Sequence, residues 1–122
     1  MANQERKQFM YECLVECAKK KETITYKELA RNAGYAYNRE KRKYEPAYLK
    51  ELTDIGEEEF EAGRPLLNVL VKVGDFPGPG FARWYVKKFS FLTFEVIHSN
   101  TTLYERLCKE CFAFWERTAP SV

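Results

Sequence analysis

The sequence predicts a mainly α-helical domain with a small β component, and three observations carry that expectation. Amphipathic stretches near each end of the chain place apolar residues at three- and four-residue steps. Between them lie a short helix with start and stop signals and a longer helix led by proline. An almost continuous apolar run, Leu66-Leu67-Asn68-Val69-Leu70-Val71-Lys72-Val73, then closes on Gly and Pro and reads as a strand covered on both faces. At 122 residues the expected organisation is a single domain spanning 1–122, with its N- and C-terminal helices packed together.

The elements follow in order. From about Gln4 to Lys20, Phe9, Met10, Cys13, Leu14 and Cys17 share one helical face, and Lys19-Lys20-Lys21 suits the negative end of that helix. Next, Thr25 is placed to cap a short helix, with Glu28 three residues on, and Gly34 to close it through a left-handed residue. That helix turns Leu29, Ala30 and Ala33 inward, as the first helix of a helix-turn-helix does. Tyr35 to Tyr44 is a basic, tyrosine-rich loop. Pro46 opens the next helix, which turns Tyr48, Leu49, Leu52, Ile55 and Phe60 toward the core. After the apolar run, Pro77 and Pro79 cannot donate to a ladder, and Gly78 and Gly80 are expected to take φ above zero in a tight turn. Phe81 to Phe89 reads as a short helix, Ser90 to Ile97 as a further short strand, and about Leu103 to Arg117 as the last helix. Tyr104, Leu107, Cys108, Cys111, Phe112 and Trp115 form its apolar stripe.

Charge is patterned more sharply than the net +2 suggests. Residues 1–50 hold twelve Lys or Arg against seven acids, residues 51–62 six acids and no base, and residues 63–122 eight bases against five acids. Aromatics at 16% argue against disorder, and five of the eight tyrosines fall between Tyr26 and Tyr48. No apolar run approaches the roughly 18 to 20 residues of a membrane helix, and the first residues lack a signal-peptide core, so a cytoplasmic protein without a membrane partner is expected. The four cysteines pair as Cys13/Cys17 and Cys108/Cys111 on the apolar stripes of the outer helices. Buried reduced thiols are the leading reading, with a four-thiolate zinc site or a disulfide as alternatives.

Chemistry is sparse. The one histidine, His98, has no evident partner, and no phosphate-binding, nucleophile-elbow or zinc-protease motif appears. Catalytic residues, metal ligands and cofactors are therefore not assigned, and a non-enzymatic binding module is expected.

"ITYKELARNAGY", followed by "GRPLLNVLVKV" and "PGPGF", resembles a winged-helix domain, and is loosely similar to the DNA-binding domain of alkylguanine transferases and alkyltransferase-like proteins. Small bacterial winged-helix-like proteins with a "PLL…LV…PG-x-GF" signature are similar too. The resemblance spans roughly residues 24–85 and implies the fold alone. Where those transferases carry Pro-Cys-His-Arg or Pro-Trp-His-Arg, this chain has Pro65-Leu66-Leu67-Asn68, so no alkyl-transfer site carries over.

Two binding expectations follow. In the first, a winged-helix-like helix-turn-helix binds nucleic acid, most simply DNA. Phosphate contacts come from Arg31, Arg39, Lys41, Arg42 and Lys43, with Arg83 or Lys87 in a wing. Tyr37, Tyr44 and Tyr48 stack or reach base edges. In the second, the acidic helix face of Glu51, Asp54, Glu57, Glu58, Glu59 and Glu61 receives a basic protein partner, as an immunity, anti-defence or adaptor protein does, with exposed Tyr and Trp near the Pro-Gly turn as anchors.

Overall fold

The computed structural model describes residues 3–74, 76–77, 79–88 and 101–118. The chain is mainly helical with a small sheet, as its pattern predicts. Helix α1 (Asn3–Lys19) leads through β1 (Ile24–Thr25) into α2 (Tyr26–Ala33). A hairpin of β2 (Tyr37–Asn38) and β3 (Lys43–Tyr44) precedes α3 (Pro46–Glu61). A 3₁₀ turn (Leu67–Leu70) feeds β4 (Val71–Val73), then come β5 (Phe76–Pro77), α4 (Pro79–Lys88) and α5 (Thr101–Thr118). The strand expected over Ser90–Ile97, His98 and Gly78 lie outside the described residues.

The signals around α2 work as read. Thr25 Oγ1 accepts a hydrogen bond from the Glu28 N–H at 3.1 Å. Gly34 sits at φ 83°, which lets the Tyr35 N–H turn back to the Ala30 carbonyl at 2.9 Å. Pro46 occupies the first turn of α3, where its missing N–H leaves no bond unmade.

The apolar run differs from expectation in one respect. It is buried from Leu67 to Val71 and reaches the surface at Val73, but only Val71–Val73 is strand, and Leu67 to Leu70 coil into the 3₁₀ turn. That turn packs against α1, α3 and α5 together. A strand presents side chains on two faces only, whereas a segment enclosed by three helices must present them all round. A continuous apolar run is compatible with either form. Strand β4 pairs in parallel with β1, Ile24 facing Val71, and antiparallel with β5, giving the order β1-β4-β5. Pro77 lies on the edge strand, where a missing donor does least harm.

The left-handed glycine of this corner is Gly74, at φ 66°, rather than Gly80. Gly80 lies inside α4 and serves close approach, since a Cβ there would stand 2.4 Å from Leu49 Cδ1. The terminal helices pack as expected: Tyr11 of α1 meets Trp115 of α5 edge-on with ring centroids 6.3 Å apart. Met10 and Leu14 are fully buried beneath them, each contributing about 1.5–3 kcal/mol of hydrophobic stabilisation. All four cysteines are free thiols. Burial pushes the Cys17 thiol up to about 12 and the Cys108 thiol up to about 11. Among the described residues, no group of three or more His, Cys, Asp or Glu could hold a metal ion, and no helix is long and apolar enough to cross a membrane.

Candidate nucleic-acid interface

The basic stretch between α2 and α3 is an ordered hairpin. Tyr37 faces Tyr44 and Asn38 faces Lys43 across it. Its four-residue loop, Arg39 to Arg42, is held by the Asn38 side chain, whose Oδ1 accepts from the Lys41 N–H at 3.0 Å. Arg42 takes a left-handed φ of 53° to return the chain to β3. Arg39, Lys41, Arg42 and Lys43 are all exposed, as is Arg31 on α2. Among the described residues, no ion pair joins any of these five to an acid.

The root of the hairpin is tied to α1. The Ala36 N–H donates to Glu45 Oε2 at 2.8 Å, and the Glu45 N–H donates to the Ala36 carbonyl at 2.9 Å. Arg6 pairs with Glu45 Oε1 at 2.9 Å and lies 4.3 Å from the centroid of the Tyr35 ring. The Arg6 guanidinium, helped by the Ala36 N–H, holds the Glu45 carboxyl below the usual range. Glu45 is the residue preceding α3, yet its side chain is engaged in this way and makes no cap. The start of α3 is closed by backbone instead, the Tyr48 N–H donating to the Glu45 carbonyl at 3.1 Å.

Tyrosines connect the hairpin to the core. Tyr37 meets Tyr44 at 4.9 Å, Tyr44 meets Tyr48 at 5.4 Å, and Tyr48 stacks on Tyr35 at 4.8 Å. Tyr37 is half exposed and Tyr44 partly so. Tyr48 faces the core, as its place on the α3 stripe predicts, and departs only from its expected role in stacking or reaching base edges. It is fully buried and its hydroxyl donates to the Tyr26 carbonyl at 2.6 Å, so it cannot stack on a base from solution. A helical stripe does not reveal which tyrosine lies at its centre, and Tyr48 is the one packed among Tyr26, Tyr35 and Tyr44. Burial pushes its hydroxyl pKa up.

The acidic helix face is also not the surface that spacing suggests. Glu51 is buried and accepts from the Tyr35 hydroxyl. Glu59 is fully buried and holds Arg64 through both Nε at 2.9 Å and Nη2 at 2.8 Å. Glu57 accepts from Lys88 Nζ at 2.7 Å and from Trp84 Nε1 at 2.6 Å, which lower its carboxyl pKa. Asp54 pairs with Lys50 at 2.9 Å, Glu58 pairs with Lys7, and Glu61 is exposed at the helix end. Trp84, expected as an exposed anchor, is half-buried on Glu57. Arg83 and Lys87 sit exposed on helix α4 rather than in a wing.

Beside the hairpin opens a cleft of about 820 Å³, bounded by α3, β4 and α4. Tyr26, Tyr37 and Tyr44 form one wall, and Arg42, Lys43, Lys50 and Arg83 bring cations to it. Leu49, Val73 and Asn68 also line it, and sequence reasoning assigned none of these to a site. The available signals were an amide within an otherwise apolar run and Gly56 within α3. The two meet: a Cβ at Gly56 would stand 2.4 Å from Asn68 Nδ2. No known protein family, curated protein or solved structure matches this chain.

Proposed function

We propose that this protein is a non-enzymatic, winged-helix-like helix-turn-helix module that binds nucleic acid, most simply DNA. Its contacts are the β2–β3 hairpin, the exposed end of α2 and the start of α3. Arg31, Arg39, Lys41, Arg42 and Lys43 neutralise phosphates, and Tyr37 and Tyr44 offer ring faces. One observation carries the reading: five of the six acids of residues 51–61 are bound to partners within the fold, while the five cations of α2 and the hairpin have no acidic partner among the described residues. The repulsion that an acidic recognition helix would impose on phosphate is thereby reduced at its source. The same internal pairing takes Glu51 and Glu59 off the surface that a basic protein partner would use and engages three of the other four acids, and the nucleic-acid reading is favoured over that one.

The test is a titration with mixed-sequence duplex DNA at 50 and 200 mM salt. Each neutralised phosphate contributes about 0.9 to the slope of log affinity against log salt. Five contacts then predict a slope of about −4.5, an affinity loss of roughly 500-fold between the two conditions. Reversing Arg39, Lys41, Arg42 and Lys43 to Glu should abolish the binding while leaving the circular dichroism spectrum intact. Salt-independent binding, or binding unchanged in the variant, would sink the reading.

A further inference from the structure

We propose that the cleft between the hairpin, α3 and α4 takes one unstacked nucleotide, its base against Tyr37 and Tyr44 and its phosphate on Arg42 and Lys43. This deepens the nucleic-acid reading and rests on it: the hairpin holds a strand and the cleft receives one base of it.

Three independent features meet in this place. The volume, about 820 Å³, falls within the range of about 300–1,000 Å³ that small-ligand clefts occupy. Its walls expose apolar surface that a folded chain ordinarily covers. Of the five large hydrophobic residues exposed among the described residues, Tyr37 at 50%, Leu49 at 40% and Val73 at 48% all line this cleft. The third feature is Asn68. The residue lines the cleft and is only 2% exposed, and its buried Oδ1 has no hydrogen-bond partner among the described residues.

A buried, unpartnered amide oxygen destabilises a fold, and an apolar residue of the same shape would avoid that cost. The fold nevertheless makes room for it, since Gly56 has no Cβ where the Asn68 amide sits. Such an acceptor suits a ligand that brings its own N–H donors, as the edges of nucleobases do. The remaining lining chooses among such ligands. Aromatic faces beside Arg42 and Lys43 match a planar heterocycle joined to a phosphate, and among the described residues the one acid of the lining, Glu45, is already engaged by Arg6 and the Ala36 N–H. Duplex bases are stacked and paired, so a single-stranded segment, a strand end or a free nucleotide is what the cleft can admit.

The experiment compares the full chain with three variants: Asn68→Leu, Tyr37→Ala, and the fourfold Glu substitution of Arg39, Lys41, Arg42 and Lys43. Probes are a mixed-sequence single-stranded oligonucleotide, the corresponding duplex, and the 5′-deoxynucleoside monophosphates as competitors. Asn68→Leu should keep or raise the Tm, weaken single-strand binding by at least about tenfold, and leave duplex binding unchanged. Tyr37→Ala, at a half-exposed position, should weaken single-strand binding by a similar factor. Competition by monophosphates supports the cleft with a free nucleotide as its ligand, and single-strand binding without such competition supports it with a strand as the source. A Tm lowered by Asn68→Leu would make the amide a structural group and overturn the inference. Single-strand affinity unchanged in both Asn68→Leu and Tyr37→Ala would overturn it too, even with salt-sensitive duplex binding by the hairpin intact. Duplex binding that survives the fourfold variant, with single-strand or monophosphate binding still dependent on Asn68, would instead remove the hairpin reading and leave the cleft.

Discussion

Replacing Arg64 with methionine should be among the most damaging changes available outside the apolar core. Glu59 has no exposed surface, and its two oxygens receive the Arg64 Nε and Nη2 at 2.9 and 2.8 Å. Methionine keeps much of the aliphatic volume and removes both donors, stranding a carboxylate inside the protein. Breaking a buried pair from one side costs about 3–5 kcal/mol. Two circumstances place this case near the lower figure: the Arg64 side chain is 35% exposed, and the Tyr11 hydroxyl also lies against Glu59. The expected loss is therefore about 3 kcal/mol, a large part of the 5–15 kcal/mol typical of a domain. Urea unfolding followed by far-ultraviolet circular dichroism measures it as a lower midpoint at an unchanged m-value. Adding Glu59→Gln to Arg64→Met should recover more than half of the loss, because a neutral amide is much cheaper to bury than a carboxylate. A loss below about 1 kcal/mol, or a double variant no better than the single one, would refute the reasoning.

Two further outcomes are expected. Glu45 has its carboxyl pKa lowered in the folded state by Arg6 and the Ala36 N–H, so it contributes stability above the ordinary Glu value of about 4.3, and that contribution is lost as pH falls through the lowered value. Glu45→Gln should accordingly flatten the fall of stability below about pH 4.5 in acid titrations, and a slope identical to the wild type would contradict the assignment. Cys17 and Cys108, with thiols pushed up to about 12 and about 11 by burial, should react with iodoacetamide at pH 8 at least about a hundredfold more slowly in the folded than in the unfolded chain; peptide mass spectrometry resolves the sites, and rapid labelling of either would argue against the packing described.

Legibility in the sequence followed how local the determining physics is. Thr25, Gly34 and Pro46 act within a few residues of themselves, and their roles could be read directly. The packing of α1 on α5 was legible as well, because two helices with apolar stripes in a small chain have few other surfaces to cover. Leu67–Leu70 was not legible, since its conformation depends on how many elements surround it rather than on its own composition. Tyr48 and the acids of α3 failed for a related reason. Spacing places Glu51 and Glu59 on a helix, but only the positions of Tyr35 and Arg64 make them interior groups. The cleft was the least legible feature of all. Its lining is drawn from α2, the hairpin, α3, the 3₁₀ turn, β4 and α4, and its one telling polar group, Asn68, sits among Leu67, Val69, Leu70 and Val71, which are apolar core.

Five of the eight tyrosines are set apart from both tryptophans, which gives the molecule two distinguishable optical signals. Tyr35, Tyr48, Tyr26, Tyr44 and Tyr37 form a continuous array from the α1 side to the hairpin, each ring within 5.4 Å of another. Transitions on rings so close mix with one another, so the near-ultraviolet dichroism of tyrosine is sensitive to how the hairpin sits on the core. Tryptophan emission comes from elsewhere: Trp84 on α4, hydrogen-bonded to Glu57, and Trp115 on α5, edge-on to Tyr11. Movement of the hairpin and loosening of the helical packing therefore change different bands, and the unlabelled protein distinguishes a local rearrangement from the onset of unfolding.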